Sequence, residues 1–219
     1  IVGGSLLLLY VPAAPRGKEH AHRARPVRAM LTNPALVLAI ASGAIAFVVM
    51  SFVMTATPIS MHLHHGHNMA DTKWVIQSHI VAMFLPSLFT PWLFRLIGLR
   101  GLMIAGLACY GITIAIGLAD VSVLGFWAQL VMLGIGWNFL FVGGTTQLVQ
   151  SYHPAERFRA QALNDFSVFS ASAAASLLAG VVLYYFGWSA LLISTAPALL
   201  LMLATLAWAR TRPKLQATS

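Results

Sequence analysis

Repeated unbroken runs of about twenty apolar residues constrain this sequence more than any other feature. Six can be read: 34–59, 74–94, 102–119, 123–149, one ending near Phe186, and 188–209. At about 1.5 Å per residue, twenty residues make about 30 Å of helix, the thickness of a bilayer's hydrocarbon core. Membrane strands need only about 9–11 residues and alternate in polarity, which these runs do not. Composition agrees, with 59% apolar residues, 8% charged residues and a mean hydropathy of +0.81. A soluble domain carries about 25% charged residues, and a disordered chain is poor in hydrophobic ones. Cys109 is the single cysteine, so no intrachain disulfide framework is available. The pattern predicts an all-α polytopic transmembrane helical bundle.

Punctuation and charge organise the chain. Asn33 followed by Pro34 reads as an N-cap and a first-turn proline opening the first crossing. The apolar stretch 1–11 is too short to cross and has no basic segment ahead of it, so it is expected to be the end of a helix that begins upstream. Residues 12–33 then form a basic cytoplasmic linker, 34–209 a six-helix transmembrane bundle, and 210–219 a cytoplasmic tail. Under this assignment the inside holds Arg16, Lys18, Arg23, Arg25, Arg28, Arg95, Arg100, Arg157, Arg159, Arg210, Arg212 and Lys214. Only Lys73 falls outside, a strong positive-inside bias. A net charge of +8 would suggest nucleic acid in a soluble protein. Here the basic residues flank membrane spans, so their expected neighbours are anionic lipid headgroups and no nucleic-acid partner is expected.

Polar and small residues inside the runs carry the remaining information. Burying an amide in lipid without a partner is costly, so Asn138, halfway along the fourth run, is a candidate contact for a bound solute or an interhelical hydrogen bond. Thr145 lies seven residues on, on nearly the same face, and Gly134 lies four residues before. Trp137 reads either as a cavity wall or as a packed or lipid-facing ring. Gln77 and His79 point to different sides of the second run, so only one of them can face a cavity squarely. His79 can change protonation near physiological pH, which makes it either a proton-coupling residue or a neutral histidine bonded to a neighbour. No Asp, Glu, Lys or Arg lies at mid-depth in any run.

Ala171, Ala175 and Ala179 form one small-residue ladder in the fifth run, and Ser172, Ser176 and Gly180 form the adjacent one. Such a face permits close approach, either as a moving contact with a further helical bundle or as static packing within this one. Gly101, Gly106, Gly111 and Gly117 read as packing positions in the third run. Pro86, Pro91 and Pro197 each remove a backbone hydrogen bond and bend their helices.

Six helices behind a basic linker and the end of another helix resemble the second half of a major facilitator superfamily transporter. In that family a short cytoplasmic loop with glycine and arginines joins the second and third helices of each half. The corresponding stretch is Thr90-Pro91-Trp92-Leu93-Phe94-Arg95-Leu96-Ile97-Gly98-Leu99-Arg100-Gly101. Arg95, Gly98 and Arg100 fit the pattern, while the leading glycine and the usual acidic residue are replaced. Three further stretches resemble a subgroup of bacterial permeases. These are Thr57-Pro58 through His64-His65-Gly66-His67, then Val75-Ile76-Gln77-Ser78-His79, and Pro154-Ala155-Glu156-Arg157 with Asn164-Asp165-Phe166.

The resemblance implies helices 7 to 12 of a twelve-helix secondary transporter in a bacterial cytoplasmic membrane. It implies alternating access, coupling to protons, a small-molecule solute and, as partner, an N-terminal six-helix half of the same protein. It requires no cofactor and no enzymatic step. It also implies a cytoplasmic gate, for which Asp165 and Arg157 join Arg95, Gly98 and Arg100; the other reading of Asp165 is a solvated carboxylate near Arg157 or Arg159.

His62, His64, His65 and His67 crowd the outer loop between the first two runs. Imidazole suits zinc, copper and nickel, but the spacing matches no helical pair of histidines and no cysteine joins in. The expectation is no resident metal, with these four as weak candidates. Two rival readings stay open: a membrane protein handling metal cations through this loop, and a membrane receptor or assembly subunit that transports nothing.

Overall fold

A computed structural model describes residues 25–211. The expected helix end 1–11, the linker up to residue 24 and the tail beyond residue 211 lie outside the described residues, and with them Arg16, Lys18, Arg23, Arg212 and Lys214. Every regular element among the described residues is helical. A short helix α1 (Val27–Met30) precedes α2 (Pro34–Ile59), which runs into a π-turn (Ser60–His64). Then come α3 (Met69–Phe84), a 3-10 turn (Leu85–Phe89), α4 (Thr90–Ala119) and α5 (Val123–Val149). A second 3-10 turn (Pro154–Glu156) leads into α6 (Arg157–Ile193), followed by α7 (Ala196–Thr211).

The helix starts follow local chemistry. Asn33 caps α2 by accepting from the Ala35 N–H at 3.0 Å, with Pro34 in the first turn, as its sequence predicts. Asn68 caps α3 through the Asp71 N–H at 2.7 Å, and Ser122 caps α5 through the Gly125 N–H at 3.1 Å. Each side-chain oxygen satisfies a donor that the first helical turn leaves unpaired.

Four apolar helical stretches are long enough to cross a membrane, and two of them, Met69–Ala119 and Pro154–Thr211, contain 51 and 58 residues. A single crossing needs about twenty. Each of the two is divided by one glycine with left-handed backbone geometry: Gly98 (φ 68°, ψ 175°) and Gly187 (φ 79°, ψ −178°). Such angles are open essentially to glycine alone. The arginine-bearing connection around residues 90–101 is therefore helical on both sides of Gly98, where the sequence suggests a loop. Proline acts in the same direction: Pro86 sits in the 3-10 turn that interrupts the α3–α4 stretch, and Pro197 follows the break between α6 and α7.

Helix α5 is the hub. It packs against α2, α3 and α4, while α2 also packs against α6 and α7. Glycines let α5 do this on several sides at once. A Cβ at Gly134 would lie 2.8 Å from the His79 carbonyl oxygen on α3, and one at Gly144 would lie 3.0 Å from the Ala39 carbonyl oxygen on α2. At Gly136 it would meet the Tyr110 ring on α4 at 2.6 Å. In lipid such close backbone approach replaces the hydrophobic effect as the driving force for association.

Two buried hydroxyls tie α2 to its neighbours α4 and α5. Tyr110 donates to the Ala46 carbonyl at 2.7 Å, and Ser42 donates to the Leu140 carbonyl at 2.7 Å. Among the third run's glycines, Gly106 and Gly117 meet neighbouring helices, whereas Gly111 faces open space and Gly101 faces only Ile97 of its own helix.

The small-residue ladder of α6 also finds its partner inside this chain. Ala175 and Ala179 are buried in the core. Ser172 and Ser51 of α2 share a hydrogen bond at 2.7 Å, and Thr55 of α2 donates to Ser176 at 3.4 Å. Of the two readings left open, packing within the half accounts for these four residues.

Candidate functional site

A cluster of aromatic rings joins four of the helices. Phe47 of α2 is its centre, with ring centroids 5.3 Å from Trp137, 5.5 Å from Phe141 and 6.0 Å from Phe169, all edge-on. Trp137 and Phe141, one turn apart on α5, stack at 4.9 Å, and Phe84 at the end of α3 meets Trp137 edge-on at 6.1 Å. Four helices thus each contribute at least one ring, in the edge-to-face and stacked arrangements that aromatic quadrupoles favour. Phe84 and Phe169 are 60% and 62% exposed, so the cluster opens outward. One turn further along α2 and α6 lie the paired hydroxyls of Ser51 with Ser172 and Thr55 with Ser176. Phe47, Ser51 and Thr55 are spaced by four, which places them along one side of α2.

Of the sequence-predicted cavity residues, Trp137 belongs to this cluster. It is buried, and its indole N–H has no acceptor. Asn138 is also buried, but its amide nitrogen donates to the Met83 carbonyl at 2.7 Å and to the Ser87 hydroxyl at 2.6 Å. It therefore ties α5 to the end of α3 and the 3-10 turn beyond it, while its Oδ1 has no partner. Thr145 turns its hydroxyl back on the Phe141 and Val142 carbonyls of its own helix, at 2.9 and 3.1 Å. Gln77 lies elsewhere, in an apolar groove between α3 and α5 lined by Val81, Leu85, Trp127, Val131 and Ile135. The four residues are not brought together into one pocket.

His79 faces the opposite way from Gln77 and is 1% exposed. Its Nδ1 lies 2.8 Å from the Leu130 carbonyl of α5. A carbonyl only accepts, so Nδ1 carries the hydrogen, and Nε2 is left buried without a partner.

At the end of the bundle bearing the arginines, the predicted gate residues are not joined to one another. Arg95 and Arg157 are exposed, and Arg100 donates to the Ala209 carbonyl at the end of α7 at 3.5 Å. Asp165 is exposed and accepts from its neighbour Asn164 at 3.1 Å; no ion pair links it to Arg157 or Arg159.

Glu156 instead takes the buried position there. At 2% exposure its carboxylate accepts from the Arg25 Nε at 2.6 Å and Nη2 at 2.9 Å, and from the Arg25 and His153 main-chain N–H groups. This forked pairing holds the Arg25 guanidinium above its ordinary pKa. Arg159 completes the clamp by donating to the Arg25 carbonyl at 3.2 Å.

The histidine loop is fastened by backbone carbonyls. His62 Nδ1 meets the His67 carbonyl at 3.0 Å, His65 Nδ1 the Ser60 carbonyl at 2.9 Å, and His67 Nε2 the Val121 carbonyl at 2.8 Å. The last bond ties the α2–α3 turn to the α4–α5 turn. His64 is exposed. Among the described residues no group of three or more His, Cys, Asp or Glu converges to hold a metal ion.

Phe47, Phe84, Phe141, Phe169 and the Ser51–Ser172 pair are not singled out by sequence reasoning. Their signal, aromatics and hydroxyls repeating at helical spacing, looks the same on a lipid-facing surface. Glu156 and Arg25 are 131 positions apart, and nothing local announces their pairing.

Comparison with known proteins gives this architecture its family. The model of the Major Facilitator Superfamily matches residues 39–219. The riboflavin transporter RfnT of Brucella anthropi is 37% identical over 210 residues, 95% of this chain and 52% of its own length. The uncharacterized MFS-type transporter YddS of Bacillus subtilis is 34% identical over 223 residues, 95% of this chain and 51% of its own length. The chain thus spans about half the length of these curated relatives. No solved structure gives a significant match. An all-helical bundle with long apolar spans, matched over most of its length, belongs to the Major Facilitator Superfamily of membrane transporters.

Proposed function

We propose that the chain is the C-terminal half of a secondary transporter that carries a small organic solute across a bacterial cytoplasmic membrane by alternating access. The observation that carries this reading is the open aromatic cluster, to which α2, α3, α5 and α6 each contribute a ring. A site there is walled on one side by this half and needs a second half to close it, as rocking two-part transporters do. Trp137 contacts the solute, while Asn138 holds the α3 bend that shapes one edge and Thr145 and Gln77 flank the path. Asp165, exposed and free of ion pairing with Arg157 or Arg159, meets the partner half at the cytoplasmic gate beside Arg95, Gly98 and Arg100. We assign coupling in this half to His79, whose Nδ1–H is held by the Leu130 carbonyl and whose Nε2 is its remaining proton site.

The similarity to RfnT makes riboflavin the solute to test first. The complete protein, reconstituted in vesicles, is expected to accumulate labelled riboflavin when the interior is made alkaline and to stop when a protonophore is added. Flux unaffected by the protonophore would remove proton coupling, and no flux of riboflavin in either direction would remove this cargo.

A further inference from the structure

We propose that the aromatic cluster around Phe47 and the hydroxyl pairs Ser51–Ser172 and Thr55–Ser176 form a two-part seat for an uncharged solute that combines a flat aromatic ring system with a hydroxylated tail. The proposal deepens the transport reading above and rests on it for the site's role, but its chemistry is argued from these side chains.

The ring part follows from the aromatic geometry. Phe47 meets three neighbouring rings in T-shaped contacts, and Phe169 is 62% exposed beside it, so a flat guest can lie against a ring already held by its neighbours. Trp137, 5% exposed, packs against Phe47 and Phe141 and holds the cluster in place.

The tail part follows from counting hydrogens. Each hydroxyl has one donor and two acceptor positions. In the Ser51–Ser172 pair one hydroxyl donates to the other, which leaves the acceptor's own hydrogen available; Thr55 donating to Ser176 leaves the Ser176 hydrogen available likewise. Two free donors, each with accepting lone pairs, spaced one helical turn apart along α2 and α6, match a run of guest hydroxyls.

Charge sets the third requirement. α2 and α5 contain no Asp, Glu, Lys or Arg, and the nearest charge on α6 is Asp165, one turn before Phe169. An anionic guest finds no cation of this half beside the seat, whereas a neutral one needs none.

The test is equilibrium binding to the complete protein in lipid nanodiscs, with four probes. These are lumichrome (ring without tail), ribitol (tail without ring), the tailed flavin used in the flux experiment, and that flavin's phosphate ester. The expected order places the tailed flavin above lumichrome, with ribitol and the phosphate ester weakest. The paired change Ser51→Ala with Ser172→Ala is expected to weaken the tailed flavin by about tenfold, the scale of one or two neutral hydrogen bonds, and to leave lumichrome unchanged.

Phe169→Ala, which removes the exposed ring, is expected to weaken the three ring-bearing probes by about fivefold and serves if the serine variant does not fold. Equal losses for lumichrome and the tailed flavin in the serine variant would overturn the two-part seat. So would binding of the phosphate ester as tight as that of the neutral flavin, or no binding of any probe to the unsubstituted protein. Because binding is read without flux, seat variants that change affinity in a protein that moves nothing would sink the transport reading alone. Flavin flux untouched by these substitutions would sink the seat alone.

Discussion

A single amide shows how the surroundings choose among the roles a residue could take. Asn138 could serve a solute or a neighbouring helix, and in the folded chain its nitrogen is committed to Met83 and Ser87 at the end of α3. Interhelical hydrogen bonds in membranes average about 0.6 kcal/mol and reach about 1.7. Asn138→Ala is therefore expected to destabilise the complete protein by about 1 kcal/mol, read as a lower unfolding midpoint in detergent. A solute contact alone would lower affinity and leave that midpoint in place.

Gly98 and Gly187 make a sharper case at the same scale. Their backbone angles are closed to side chains, so Gly98→Ala and Gly187→Ala are each expected to cost about 1–3 kcal/mol. Gly111→Ala, in open space within a helix, is expected to be neutral or slightly stabilising in the same assay. The sequence places a loop around Gly98 and a boundary between runs at 187, but does not say that one glycine accomplishes each break.

Among elements, the decisive contact outside the membrane is the clamp between the start of the described chain and the start of α6. Met30 of α1 is fully buried with Leu36, Ala39, Leu148 and Ala160. Arg25 just ahead of it is forked onto Glu156. The segment entering α2 is thus fastened to the ends of α5 and α6 and moves with them. Glu156→Ala is expected to free this segment, seen as faster protease cutting near Arg25, with a loss on the order of 1–2 kcal/mol because Arg25 remains partly solvated. Arg25→Lys, which keeps the charge but loses the fork, is expected to fall in between.

The hub contact has its own test. Gly134→Val places a side chain against the His79 carbonyl, and overpacking there is expected to cost about 1–3 kcal/mol in the same unfolding assay. Glycine at position 134 can be read as a packing residue from sequence, but which helix it receives cannot.

For the whole molecule, the basic residues predict a common arrangement: Lys73 on one side of the bilayer, Arg157 and Arg95 on the other. In a background where Cys109 is replaced by Ala, cysteines at positions 73 and 157 are expected to react with an impermeant reagent from opposite sides of sealed vesicles. Labelling of both from one side would overturn the crossing order and the proposed cavity with it. The helical class, the apolar crossings and the turn positions near residues 98 and 187 follow from run length, caps and glycine, because lipid thickness and backbone satisfaction leave few alternatives.

What the sequence could not determine is which side of each helix meets another. In water a buried face announces itself by being more apolar than the rest, but in a bilayer both the lipid-facing and the packed sides are apolar, so periodicity carries little of that information. Phe47, Phe141 and Phe169 became one cluster, Ser172 found Ser51, and Arg25 found Glu156 only when close packing brought separate helices together.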